Sequence, residues 1–364
     1  MRIEDSQSII GESNVTRSLK SMVGTSTVIG SIVHGAYGDY YEQMVCLRYL
    51  KRIRPDVHLV VFFASESCLR ELAVFDLSFA DEVHPVSLIF DVPVERFLQF
   101  QVHDPELKEE VISKLPTTIL EKFDLTRNLK PWTFIREVYR LFPSDCDVPL
   151  SSLGLKRLPQ CFNDNGLDES GFANRFTVGF LWRHRAHGGA ISSDFQFSKE
   201  VLLRTKSALF SSLTEQYGAR IIIAGMNCRV TAENRERIGR KFTESRLDVR
   251  EDACTYLKGL NWGLELEILR RCSLCIVMPS GFSEALLMKR KDATVLVDPS
   301  IHYLAKLLWN RMPFFGVWNV HNIVFYIRQP HTAERVLEYL RFRNLIEAKQ
   351  LMRCEMYRHE SQGQ

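Results

Sequence analysis

Residues Thr25–Glu42 read TSTVIGSIVHGAYGDYYE. An apolar run rich in Val and Ile ends in His34, Gly35 and Gly38; Asp39 follows directly, and a helix-like segment runs on to about Arg54. Strand, glycine turn and helix in that order build a binding crevice at the carboxyl end of a parallel strand. The turn brings one imidazole, His34, and one carboxylate, Asp39, to the mouth of that crevice. Asp39 also has a plain reading as the cap of the helix, since Asp is a favoured N-cap. As a dinucleotide signature the stretch fails, because it holds G-x-x-G and no G-x-G-x-x-G.

Outward from this stretch, strand-like and helix-like segments alternate, the pattern of a doubly wound α/β protein. In the first half the expected strands are Thr27–Val33, Val57–Phe63 and Glu82–Val86, with helices at Asp39–Arg52 and Glu66–Leu77. The helix at Asp39–Arg52 has mixed periodicity and rests mainly on its place after the glycine turn. From Leu88 to Phe162 repeated prolines break the pattern, with short helices expected at Asp104–Leu115 and Pro131–Leu141. The polar stretch Asn163–Ser170 marks a domain boundary near 165–174.

The second half is cleaner. Strands are expected at Phe176–Trp182, Arg220–Ala224, Leu274–Met278 and Thr294–Val297. Helices are expected at Ser198–Gln216, stopped by Gly218, then at Asn261–Arg271 and Phe282–Lys289, with a long one capped by Thr332.

Bulk properties narrow the function. With 364 residues the chain exceeds what one core usually serves. Its 45% hydrophobic and 25% charged residues are ordinary for a soluble domain. A net charge of +3, spread along the chain, argues against nucleic acid as a partner. No run reaches the roughly eighteen apolar residues that span a bilayer. Met1–Lys20 lacks the apolar core of a secretory signal and is expected to be a frayed or loosely docked terminus. The nine cysteines are scattered, mostly in apolar surroundings, which points to buried thiols in a reducing, cytoplasmic setting. Cys272 and Cys275 form a C-x-x-C with no second pair nearby to complete a zinc site. No metal site and no resident cofactor are expected.

Two further segments carry chemistry. Gly179–Gly189 starts as a strand and ends in a loop with Arg183, His184, Arg185 and His187. Arginine suits the phosphates of a departing nucleoside diphosphate because its fork matches phosphate oxygens. If the strand persists, Arg183 and Arg185 share a face; a solvated loop end is the alternative. Met278–Ala285 (MPSGFSEA) reads as strand, small-residue turn and helix start, a ready anion site. Its donors are the backbone at Gly281 and the hydroxyls of Ser280 and Ser283, while Glu284 could bond a ribose or sugar hydroxyl; simple helix capping is the alternative. Gly225, after a strand, is a weaker candidate for contact with a base or diphosphate.

Two α/β halves and a terminal helix resemble the GT-B glycosyltransferases over roughly Thr25–Lys349. The likeness is specific at the three segments just quoted. Gly38-Asp39 is similar to the Gly-Asp of heptosyltransferases and protein-arginine rhamnosyltransferases, whose aspartate is the proposed base. His34 matches the glucosyltransferases that use a histidine in this loop. Arg183-x-Arg185 is similar to the arginine motif of fucosyltransferases, with one residue inserted. The serine turn is similar to those near the donor phosphates.

The resemblance implies two Rossmann-like domains facing across a cleft. Residues 1–170 would be the acceptor side and 171–330 the nucleotide-sugar donor side, with a C-terminal helix and tail at 331–364 returning to the first domain. It implies an enzyme that moves a sugar from a nucleotide-sugar co-substrate to a sugar or glycan acceptor, without metal and with inversion, as in polysaccharide biosynthesis. Gly35, Tyr37, Gly38 and Tyr40 would face the acceptor, with the tyrosines available for stacking. A lipid-linked acceptor follows by analogy alone. Peripheral membrane contact is left open by two basic clusters, 51–54 and 289–291. Two other readings compete: a dehydrogenase or methyltransferase, and a non-catalytic sugar- or nucleotide-binding scaffold.

Overall fold

The computed structural model describes residues 14–33, 37–63, 69–70, 72–98, 138, 141–142, 146–169, 172, 175–181, 207–224, 254–257, 262–277, 286, 294–297, 323–324 and 332–342. The chain divides into two compact units, Met1–Gly154 and Leu155–Gln364. The expected helix Asp104–Leu115 lies outside the described residues, as do most of Pro131–Leu141 and Phe282–Lys289.

The first unit is built on helix α1 (Asn14–Val23), strand β1 (Val28–Val33), helix α2 (Tyr37–Ile53) and strands β2 (His58–Phe63), β3 (Glu82–Pro85) and β4 (Arg96–Leu98). The strands form one parallel sheet in the order β3-β2-β1-β4. β1 and β2 are almost continuously apolar and bury five of their six residues each. Such runs belong to strands covered on both faces. One face carries a core of Ile32, Val60, Phe62, Ile89, Val94 and Phe97. Gly30 permits this packing: a Cβ there would stand 2.6 Å from the Phe97 ring and 2.8 Å from Val94.

Two expectations for the first unit need correction. The N-terminal segment is not frayed from residue 14 on. α1 buries Leu19 and Val23, and Thr16 Oγ1 meets the Tyr49 hydroxyl on α2 at 2.5 Å. Second, α2 begins at Tyr37, so Asp39 is its third residue and not its N-cap.

The second unit contains helix α3 (Ser152–Asp164, which begins in the first unit), β5 (Thr177–Leu181), helix α4 (207–217) and β6 (Arg220–Ala224). β7 (Cys254–Tyr256), helix α5 (Trp262–Arg271), β8 (Leu274–Val277), β9 (Thr294–Val297), β10 (Ile323–Val324) and helix α6 (Thr332–Phe342) complete it. All strand pairs are parallel, in the order β10-β9-β8-β5-β6-β7. Counted from β5, this is the 6-5-4-1-2-3 order of a doubly wound Rossmann sheet. The first sheet reproduces the 3-2-1-4 portion of the same order. The fold class is therefore α/β with two parallel, Rossmann-like sheets.

α4 stops at Gly218, which takes the left-handed φ of 58°. α6 packs within the second unit over its described length. Val336, Leu337 and Leu340 join the second unit's core with Val178, Phe180, Ile221 and Ile276. Arg341 donates to the Tyr217 hydroxyl of α4 at 2.7 Å. The apolar stripe of α6 finds its cover there; residues 343–364, the rest of the C-terminal segment expected to return to the first domain, lie outside the described residues.

Candidate active site

In open parallel sheets, ligands bind outside the carboxyl ends of the strands, where the strand order reverses. That switch point lies between β1 and β4 in the first sheet and between β5 and β8 in the second.

The second sheet brings its strand ends level. Leu181, the last residue of β5, pairs with Val277, the last of β8, and with Ala224, the last of β6. The segments that follow in sequence are those expected to contact phosphate or nucleotide: Arg183 and Arg185 after β5, Gly225 after β6, and Ser280, Gly281, Ser283 and Glu284 after β8. These seven residues lie outside the described residues. The three strands that deliver them are adjacent, and β5 and β8 flank the switch point itself.

The register of β5 against β8 is locked at its other end. Ser273 N–H donates to Thr177 Oγ1 at 3.0 Å, and Thr177 N–H to Ser273 Oγ at 3.3 Å. These residues are 96 positions apart, so no local sequence signal could have found them. Gly179, in the middle of β5, lets α5 approach: a Cβ would meet Leu269 Cδ2 at 2.9 Å and the sulfurs of Cys272 and Cys275 at 3.1 and 3.2 Å.

In the first sheet Val33, Phe63 and Pro85 close β1, β2 and β3 abreast. His34 and Gly35 follow β1 in sequence and lie outside the described residues. Tyr37, Gly38 and Asp39 form the first three residues of α2.

Tyr40, expected to face the acceptor, packs inside the first unit. It is 4% exposed and packs on Phe63 with ring centroids 6.4 Å apart, so it is core and offers no stacking surface. Tyr41 is equally buried; its hydroxyl donates to the Cys146 carbonyl at 2.6 Å and accepts from the Val148 N–H at 3.4 Å. Burial, reinforced by Asp147, pushes its pKa far up, so it stays a neutral donor.

Burial disfavours the thiolate at two of the described cysteines. Burial pushes Cys254 up to about 11, and burial together with Glu42 pushes Cys46 up as well, whereas reactivity requires the thiolate. Cys272 and Cys275 are buried and donate to the Ile268 and Leu269 carbonyls at 3.6 and 3.0 Å. Among the described residues, no group of three or more His, Cys, Asp or Glu side chains is arranged to hold a metal. Basic cluster 51–54 is committed internally. Lys51 pairs with Asp81 at 2.6 Å, Arg54 with Asp56 at 2.7 Å, and Arg52 stacks 4.1 Å over Phe142. Cluster 289–291 lies outside the described residues. No described helix is long and apolar enough to cross a membrane.

No family model and no curated protein matches the chain. Solved structures resemble it weakly. One is a glycosyl transferase family 9 protein from Veillonella parvula: 11% identity, TM-score 0.45, covering 76% of this chain and 83% of that one. Another is a protein from Listeria monocytogenes described as a UDP-N-acetylglucosamine 2-epimerase: 10% identity, TM-score 0.39, covering 88% and 90%. The glycotransferase of kitacinnamycin is similar at 9% identity and TM-score 0.36, covering 90% and 99%.

Proposed function

We propose that this chain is a glycosyltransferase that moves a sugar from a nucleotide-activated donor to a sugar or glycan acceptor, by inversion and without a metal ion. The carrying observation is the level ending of β5, β6 and β8 at the switch point of the second sheet. Each of these strands runs directly, in sequence, into a segment suited to phosphate or nucleotide contact. The donor is assigned to that edge. Arg183 and Arg185 bind its diphosphate, the backbone and hydroxyls of Ser280–Ser283 add donors, Glu284 bonds a sugar or ribose hydroxyl, and Gly225 lets the nucleotide approach. The acceptor is assigned to the carboxyl edge of the first sheet, at Gly35, Tyr37 and Gly38. A lipid-linked glycan belongs to the same acceptor class.

Asp39, with His34 as the alternative, takes the proton of the acceptor hydroxyl. The freed oxygen attacks the anomeric carbon as the bond to the diphosphate oxygen breaks. The leaving diphosphate carries the electron pair away, and its charge is met by the two arginines and the helix start.

The test is a thermal-shift panel of UDP, GDP, NAD and S-adenosylmethionine with no added metal. UDP or GDP at a hundredfold excess over Kd should stabilise the fold by about 2.7 kcal/mol. A response confined to NAD or S-adenosylmethionine would replace this reading with that of a dehydrogenase or methyltransferase.

A further inference from the structure

The C-x-x-C of Cys272 and Cys275 has no part in the proposed reaction, yet the fold gives it a definite setting. Cys272 follows the last residue of α5, and Cys275 is the second residue of β8, opposite Gly179 of β5. Both thiols are free and buried. A Cβ at Gly179 would stand 3.1 Å from the Cys272 sulfur and 3.2 Å from the Cys275 sulfur. Two atoms that near to one point are near to each other. The sulfurs therefore border the same side-chain-sized space, the one that glycine leaves empty in β5.

The backbone holds both cysteines there. Cys272 N–H donates to the Leu269 carbonyl at 3.1 Å as the chain leaves α5. Ser273, between the two cysteines, is tied to Thr177 by bonds of 3.0 and 3.3 Å. Cys275 is set by the pairing of β8 with β5 on one side and β9 on the other. With the main chain pinned, rotation of the two side chains is the motion that brings the sulfurs together.

The thiols also have a task in their reduced form. The last four carbonyls of a helix lack intrahelical donors. In α5 these include the carbonyls of Ile268 and Leu269, to which Cys272 and Cys275 donate at 3.6 and 3.0 Å. The cysteines differ in reach. Arg271 is exposed and Ser273 half-buried, so Cys272 lies one residue beneath the surface, whereas Cys275 is inside the sheet. Local opening of residues 271–273 admits a small oxidant to Cys272 without parting the strands.

We infer that Cys272 and Cys275 are a redox pair sensitive to hydrogen peroxide, and that their disulfide frees the last turn of α5. Cys272, deprotonated on opening, attacks one peroxide oxygen; the O–O bond breaks, and the departing hydroxide takes up that proton as water. Cys272 is left as a sulfenic acid. The Cys275 sulfur then attacks the Cys272 sulfur, the S–S bond forms, the S–O bond breaks, and a second water leaves with the Cys275 proton. The sulfurs lose two electrons and the peroxide gains them. Both S–H donors to α5 are lost in the same step. The inference does not depend on the proposed reaction.

The test treats the intact chain with hydrogen peroxide, alkylates it with iodoacetamide in denaturant and follows the tryptic peptide Cys272–Lys289. That peptide should carry no label until dithiothreitol is added, and two labels afterwards. Cys275→Ser should leave Cys272 as a sulfenic acid that dimedone traps. Cys272→Ser should slow oxidation of Cys275 by about tenfold or more, since its access runs through Cys272. In the disulfide form, amide exchange over residues 264–272 should quicken by about fivefold or more. Thiols that still take label after peroxide, or a bridge from either one to another cysteine, would overturn the pair. A disulfide formed with exchange unchanged would overturn its effect on α5.

Discussion

Gly30 and Gly179 occupy matching places, each the third residue of the first strand in its sheet, and each lets a packing layer close against that strand. Gly179→Val should destabilise by about 1–3 kcal/mol through overpacking against Leu269 and the two cysteine sulfurs, read as a lower denaturant midpoint at constant slope. An unchanged midpoint would mean that α5 yields without cost. Asp39 makes a different kind of claim. As the third residue of α2 it is not the helix cap, so its capping alternative has lost its position. Asp39→Asn should lower transfer by about 10²–10⁴-fold while leaving nucleotide binding intact. Near-full activity would pass the role of base to His34. Tyr40 shows the limit of reasoning from residue type: an aromatic beside a glycine turn suits a sugar ring and suits the core equally well, and here it fills the core.

Among the elements, the strands flanking the site were legible because parallel strands buried on both faces are written as short unbroken apolar runs. Arg220–Ala224 and Thr294–Val297 were read with their observed boundaries. α2 was harder to read for a physical reason. Its residues 40–47 are all buried, because the sheet covers one side while Thr16 of α1 and the Cys146–Val148 segment hold Tyr49, Tyr41 and Arg48 on others. A helix covered from several sides has no polar stripe to set its period. α5 is buried in the same way from Trp262 to Leu269, including Glu265 and Glu267, the latter paired with Arg270 at 2.9 Å. β4, β7 and β10 have only two or three residues each, too few for any pattern to show. α3 escaped because Pro159 reads as a breaker, whereas anchors at both ends of the helix carry it through the missing bond. The candidate site was legible as strand-then-turn chemistry. The sheet order that makes β5, β6 and β8 neighbours was not, because it depends on pairings between strands tens of residues apart.

At the scale of the whole molecule, two Rossmann-like sheets divide the proposed labour. Phosphate-suited segments follow the strands of the second sheet, and the candidate base heads the first helix after β1 in the first. On the proposed function, a nucleoside diphosphate binds at the carboxyl edge of the second sheet. The most direct measurement is the hydrogen-exchange footprint of UDP or GDP on the intact chain, repeated with Arg185→Ala. Protection should fall on peptides covering 178–190, 220–230 and 274–290, and Arg185→Ala should weaken binding by about tenfold or more. Protection confined to the first unit, or a footprint and affinity indifferent to Arg185, would remove the nucleotide from the second sheet.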